Sequence, residues 1–145
     1  MKAVAQNRRA RFDYEVVDTF EAGIILTGPE VKACRQGHIS LMGSYVLFVG
    51  GKPIIRNVKI SKYTYSADAD HKEMRDRELL LNKNESAKLQ RSLEEKGMTV
   101  VPLEIRAGKY IKVLLGLGRG RKKFDKRAKI KEREIGRRVR EGREE

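Results

Sequence analysis

Nucleophilic catalysis needs a thiol or hydroxyl beside a histidine base and an orienting acid. This chain has one cysteine, Cys34, and two histidines, His38 and His71. His38 follows Cys34 by four residues, but Gly37 lies between them at the expected end of a helix. Cys34 therefore reads as a core residue, in keeping with the general burial of cysteine, and His71 as part of a polar loop. Three such residues at this spacing do not make a zinc site, so no metal and no cofactor are expected. Gly116, Gly118 and Gly120 precede a helix-favouring segment. They do not form GxGxxG and no βαβ unit surrounds them, so a dinucleotide site is not expected. No catalytic residues are assigned, and an enzyme is not expected.

The cations point elsewhere. The 145 residues carry 33 Lys and Arg against 20 Asp and Glu, a formal net charge of +13. A chain this basic is suited to a polyanion, nucleic acid before membrane. Residues 119–145 hold 13 Lys and Arg against 6 Asp and Glu, more than half of the excess in under a fifth of the chain. Lys2, Arg8, Arg9 and Arg11 make a smaller basic end. The lone cysteine, together with opening residues that lack a signal peptide's apolar stretch, leads to the expectation of a reduced, cytoplasmic protein. The apolar runs fall well short of the roughly 20 residues that span a bilayer. The tail lacks an interfacial helix's apolar face, so no membrane partner is expected. No helix-turn-helix or zinc module is recognisable, so no DNA partner is expected.

The elements that must position these cations are mainly strands. Phe12, Tyr14 and Val16 alternate with Asp13 and Glu15, the period-two pattern of a half-buried strand. Ile24-Ile25-Leu26 is a short apolar run. Tyr45–Val49 leads through Gly50-Gly51 into Ile54-Ile55, a hairpin. Thr99–Ile105 and Tyr110–Leu117 form another pair through Ala107-Gly108-Lys109, with Ile111, Val113, Leu115 and Leu117 on one face. Gly28-Pro29-Glu30 opens a helix that Gly37 closes. A second helix is expected from an Asn84 cap to Gly97, with Leu89 and Leu93 facing the sheet. Residues 61–78 read as a loop, and Gly118–Gly120 as a flexible exit from the last strand. The expected fold is mainly β with flanking helices, a small antiparallel barrel or sandwich. The expected division is a basic arm at 1–11, an RNA-binding barrel at 12–118 and a basic tail at 119–145. Strand aromatics, including Tyr110, read as core, leaving Tyr63, Tyr65 and Phe124 as the accessible stackers.

In the tail, Phe124, Ala128, Ile135 and Val139 fall near one helical face. So thin a stripe does not offset a chain entropy of about 1–2 kcal/mol per residue. Asp125–Lys129 and Glu134–Arg138 attract at i,i+4, whereas Arg127–Lys131 and Arg133–Arg137 repel. A tail largely unfolded when free and helical when a polyanion neutralises it is expected. Composition alone would favour a structural ribosomal protein, or a general RNA-binding protein, with a basic tail.

The order of motifs is more specific. Asn7-Arg8-Arg9-Ala10-Arg11, Asp13-Tyr14-Glu15, Phe20-Glu21-Ala22-Gly23-Ile24 and Gly28-Pro29-Glu30-Val31-Lys32 come first. They are followed by Ser44-Tyr45, Leu79-Leu80-Leu81-Asn82-Lys83, Lys96–Leu103, Gly120–Arg127 and Ile130-Lys131-Glu132-Arg133. In this order they resemble the SmpB family of SsrA-binding proteins, over about residues 7–134. The stretch around His71 departs from the family's pattern. Lys72 and Glu73 replace its Asp-Pro, and Glu78 stands where Lys is usual, although Arg75 and Arg77 remain.

The resemblance implies an OB-like barrel that binds the tRNA-like domain of tmRNA. It also implies a part in trans-translation, the rescue of stalled ribosomes, with no catalysis by the protein itself. The implied partners are tmRNA and the ribosome, chiefly the small-subunit decoding centre and mRNA channel, which the tail would probe for the absence of a message. Asn7, Glu21 and Leu80 match family positions tied to tmRNA binding. Arg8, Arg9, Arg11, Lys32, Arg75 and Arg77 join them as expected RNA contacts. Arg119, Gly120, Arg121, Lys122, Lys123, Phe124, Asp125, Lys126, Arg127, Lys131 and Arg133 are the expected ribosome-contacting set. A peptide spanning 119–145 is expected to be mostly coil by circular dichroism in plain buffer, and strong helicity there would overturn the tail argument.

Overall fold

The computed structural model describes residues 2–61 and 72–120. Its frame is set by the apolar alternation already visible in the last strand. Ile111, Val113, Leu115 and Leu117 are all buried, and they share one core with Phe20, Ala22, Val46, Ile55, Leu79, Val100 and Ile105. Nine strands and three helices are present among the described residues. β1 is Lys2–Gln6, β2 Tyr14–Ile24, β3 Ile39–Ser40, β4 Tyr45–Val49 and β5 Lys52–Arg56. β6 is Lys59–Ile60, β7 Arg77–Leu80, β8 Met98–Ala107 and β9 Ile111–Gly120. The helices are α1 Arg8–Asp13, α2 Gly28–Arg35 and α3 Lys83–Ser92. The main sheet runs β1-β8-β4-β5-β7-β2-β9, and a further β8–β9 pairing closes it into a ring with β1 appended. Every pairing is antiparallel. This is the mainly antiparallel, OB-like arrangement the sequence suggests.

Several elements differ from expectation. The basic start is folded against the sheet: Lys2–Gln6 pair with β8, and Arg8–Asp13 form α1. Phe12 therefore lies on a helix, and β2 begins at Tyr14 and runs unbroken to Ile24. The helix wins because the Asn7 side chain caps it, accepting from the Ala10 N–H at 3.2 Å. α3 begins two residues earlier than expected, with Asn82 rather than Asn84 as its cap, and ends at Ser92. A strand at Arg77–Leu80 takes in the last two residues, 77 and 78, of the expected loop. The Gly50-Gly51 hairpin is present, both glycines at positive φ, where a side chain would be strained.

β9 continues to Gly120, so Gly118–Gly120 are not a flexible exit, and Arg119 and Gly120 belong to the sheet. Its glycines serve close packing. A Cβ on Gly116 would lie 2.9 Å from Leu103, and one on Gly118 would lie 3.0 Å from the Tyr14 Cβ. The rest of the expected tail, together with His71, Tyr63 and Tyr65, lies outside the described residues. Cys34 is buried, and burial pushes its thiol up to about 11, with Arg77 opposing and Glu30 reinforcing. It is an inert core residue at neutral pH.

Charge is also built into the interior. Thr27 and Glu30 form a capping box: the Glu30 N–H donates to Thr27 Oγ1 at 3.3 Å, and the Thr27 N–H donates to Glu30 Oε1 at 2.9 Å. The same carboxylate, 1 % exposed, accepts from Arg75 on both oxygens and from Arg77 Nε at 2.8 Å. Arg77 is 0 % exposed and spends its other donors on the carbonyls of Val58, Arg75 and Glu73. Burial alone would raise the Glu30 carboxyl. Arg75, the Thr27 N–H and Arg77 outweigh it and hold the group at about 2.

Removing one partner of a buried ion pair leaves an uncompensated charge, at a cost of about 3–5 kcal/mol. Glu30→Gln is expected to lose stability on that scale in urea unfolding. Because the folded group titrates near 2 against 4.5 for the free one, its contribution is complete above about pH 4.5 and falls away towards about pH 2. The wild-type chain is expected to lose more stability than Glu30→Gln across that window, and parallel pH profiles would contradict this assignment.

Candidate nucleic-acid interface

The ring has an outer face that the core does not use. Register places Leu80 opposite Gly23, Gly23 opposite Lys112, and Lys112 opposite Arg106. One row therefore crosses β7, β2, β9 and β8. The next row sets Glu21 opposite Leu114, and Leu114 opposite Glu104. Arg106 joins the two rows, 3.7 Å from Glu21 and 3.0 Å from Glu104. Glu21 is thus an exposed acid beside a half-buried cation. It can orient that guanidinium or accept from a base amino group. Leu80 is 57 % exposed while its neighbour Leu79 is 2 % exposed. Strand alternation divides the leucine run, and Leu80 is not core. Gly23 keeps the row level: a Cβ there would meet the Leu80 Cβ at 3.3 Å.

The same face is roofed at one end by α1. Ala10 packs with Val101 and Leu103, and Tyr14, Val16, Tyr45 and Leu114 lie against them. Leu114 is the residue opposite Glu21, so the α1 patch runs directly into the Glu21 row. α1 presents Arg8, Arg9 and Arg11 to solvent. Arg9 is partly engaged, at 3.1 Å from Asp13 and with its guanidinium 5.2 Å from the Phe12 ring centroid.

Asn7, only 5 % exposed, is what fastens this helix. Its Nδ2 donates to the carbonyls of Leu41 at 3.1 Å and Pro102 at 2.9 Å, and its backbone N–H donates to the Leu103 carbonyl at 2.8 Å. The Pro102–Glu104 irregularity of β8 supplies that socket. Asn7 therefore acts on α1 and its arginines from inside.

The structure sorts the expected contacts. Glu21, Leu80, Arg8, Arg9, Arg11 and Lys32 are exposed. Arg119 is exposed on β9, 3.4 Å from Glu95. Arg77 is the clear correction, since a fully buried guanidinium bound to Glu30 and three carbonyls has no donor left for RNA. Arg75 is half-buried and committed to the same carboxylate. Arg121 to Arg133 of the expected set lie outside the described residues. Sequence reasoning passed over Arg106 and Lys112, and it read Tyr110, a candidate stacker, as core. The signal for the last two was present: if Ile111 and Val113 face inward, Tyr110 and Lys112 must face outward. Tyr110 is 63 % exposed, not core. Among the described residues no cluster of His, Cys, Asp and Glu could hold a metal, and no helix is long and apolar enough to cross a membrane.

The family model described as SmpB protein matches residues 4–144. The SsrA-binding protein of Exiguobacterium sibiricum is 44 % identical over 137 residues, covering 94 % of this chain and 88 % of that one. The SsrA-binding protein of Mesorhizobium japonicum is 46 % identical over 138 residues, covering 94 % and 87 %. A solved structure, "tmRNA-SmpB: a journey to the center of the bacterial ribosome", contains a chain 45 % identical to this one with a TM-score of 0.69, covering 82 % of this chain and 85 % of that one.

Asn7→Ala removes the cap and both side-chain anchors of α1. A lost cap costs about 1 kcal/mol, and loss of the Nδ2 bond to the Pro102 carbonyl adds to it, whereas the Leu41 carbonyl keeps the Ser44 N–H and hydroxyl. Lower stability is expected, together with weaker RNA binding. Arg8→Ala is expected to weaken RNA binding with no change in unfolding midpoint. An Asn7→Ala protein of unchanged stability would argue against the anchoring role.

Proposed function

The chain belongs to the SmpB family, and on that footing we propose that it binds the tRNA-like domain of tmRNA, the SsrA RNA, and delivers it to stalled ribosomes for trans-translation. The observation that carries the reading is one continuous outer face bearing Glu21 and Leu80, with α1 and its arginines at its margin. The match to relatives named as SsrA-binding proteins, over nearly the whole chain, supports SsrA RNA as the ligand.

The ring supplies a rigid platform, because its β8–β9 pairing closes the sheet and its inner face is packed solid. Lys32 and the α1 arginines supply attraction to phosphates. Glu21, through Arg106, and Leu80 supply the selective part, since a carboxylate and an exposed leucine gain nothing from bulk polyanion. The protein acts as a binding factor and not an enzyme, in the cytoplasm, without metal, cofactor, DNA or membrane. Residues 121–145, with Phe124 and the Asp125-Lys126-Arg127 run, are the part proposed to enter the vacant mRNA channel near the decoding centre. Arg119 and Gly120 form the root of that segment on β9.

A chain ending at Gly120 is expected to bind tmRNA but not to support tagging on stalled ribosomes in a reconstituted translation assay. Failure of that chain to bind RNA would refute the division between platform and tail. Log affinity for tmRNA is expected to fall linearly with log salt, as counterion release requires. A flat response would rule out phosphate contacts as its basis.

A further inference from the structure

The β8–β9 hairpin and the C-terminal end of α2 enclose a cleft of about 350 Å³, lined by Gly23, Ile24, Leu26, Val31, Arg35, Leu80, Lys109, Tyr110, Ile111 and Lys112. Its wall is apolar, its only charged lining residues are cations, and no carboxylate lines it. Two large side chains stand at its mouth with most of their surface in solvent, Leu80 at 57 % and Tyr110 at 63 % exposure. Soluble surfaces do not ordinarily gather such groups in one concave place without a ligand.

The hairpin that carries Tyr110 is held in place. Arg35 Nη1 donates to the Gly108 carbonyl at 2.8 Å and Nη2 to the Lys109 carbonyl at 3.2 Å. Arg35 is the last residue of α2, and the first turn of α2 is fixed by the Glu30 network. The tyrosine is thus presented on a braced tip. Lys109 Nζ lies 5.7 Å from its ring centroid, which adds positive charge to the platform.

We propose that this cleft receives one unstacked nucleobase of the bound RNA, with Tyr110 as the stacking surface, Leu80 as the opposing apolar wall, and Lys109 and Lys112 taking the flanking phosphates. The proposal rests on the RNA-binding reading above and adds the ligand class and the residue that holds it. A base offers a flat apolar face between two charged phosphates, and the cleft offers the complement. A protein segment would not call for cations alone on the rim. Unpaired RNA is commonly read by stacking on an aromatic ring. Arg35 is a positioning residue in this scheme, since its donors are spent on the hairpin backbone.

The chain contains no tryptophan, so Tyr110→Trp in the full-length protein creates a single fluorescent reporter at the proposed contact. Its emission is expected to be quenched both by tmRNA and by short single-stranded oligoribonucleotides. Tyr110→Ala is expected to lower tmRNA affinity on the order of ten- to a hundred-fold, the range of one base–aromatic stack, with no change in melting temperature. Tyr110→Phe is expected to restore binding, because the ring and not the hydroxyl carries the contact. Arg35→Ala is expected to weaken binding and to relax amide exchange protection at Gly108–Tyr110. Undiminished binding by Tyr110→Ala, or an unquenched reporter in a protein that binds tmRNA normally, would overturn the cleft assignment alone. Failure of the wild-type chain to bind tmRNA, with the oligonucleotide quench intact, would overturn the functional reading and leave the cleft standing.

Discussion

A single buried carboxylate organises more of this protein than any other group. Glu30 caps its own helix through Thr27 and neutralises two arginines from a distant part of the chain. A neutral glutamine could keep the first duty but not the second. Arg77 is locked in the core, where an unpaired guanidinium is costly, and its remaining donors tie together the carbonyls of Val58, Arg75 and Glu73. The network therefore joins α2, β7 and both flanks of the 62–71 segment. A salt bridge of this kind adds little net stability compared with apolar packing. Its value lies in direction: α2 has one seating that satisfies every donor, and the hairpin that Arg35 grips inherits that seating.

The same logic separates residues that touch a ligand from residues that hold the touching ones. Asn7 and Arg77 look like interface residues by type, a polar amide and a cation in motifs associated with RNA. Both are buried and fully engaged within the protein. Glu21 and Leu80 look like poor RNA ligands by type, yet both stand on the open face. Residue chemistry names the bond a side chain can form, and burial decides whether the partner is internal.

That distinction also explains what could be read in advance. The β4–β5 and β8–β9 hairpins were legible, since glycine turns and period-two apolar runs are local signals. The run of inward residues from Ile111 to Leu117 was legible for the same reason. α1 was not, because Phe12-Asp13-Tyr14 alternates like a strand, and the deciding groups are the Asn7 cap and carbonyls 34 and 95 residues away. β7 was hidden because its first residue, Arg77, is a charged side chain in a core position. No hydrophobic pattern can register that, and only the matching Glu30, 47 residues earlier, makes it possible. The close packing of Gly116 and Gly118 was equally non-local: their partners, Leu103 and Tyr14, lie on the neighbouring strands.

The outer face then follows from the inner one. In a closed sheet, every residue pointed inward commits its neighbours outward. Packing Phe20, Ala22, Leu79, Ile111 and Val113 into the core leaves Glu21, Gly23, Leu80 and Lys112 outside, in adjacent rows across β7, β2 and β9, with exposed Tyr110 just ahead of β9. Gly23 is the hinge of this arrangement, since a side chain there would press on Leu80 and break the row. A surface so derived is as rigid as the core beneath it. It holds a carboxylate, a leucine and a tyrosine on one face. The proposed selectivity for one RNA among many polyanions rests on that geometry, with the net charge of +13 supplying the encounter.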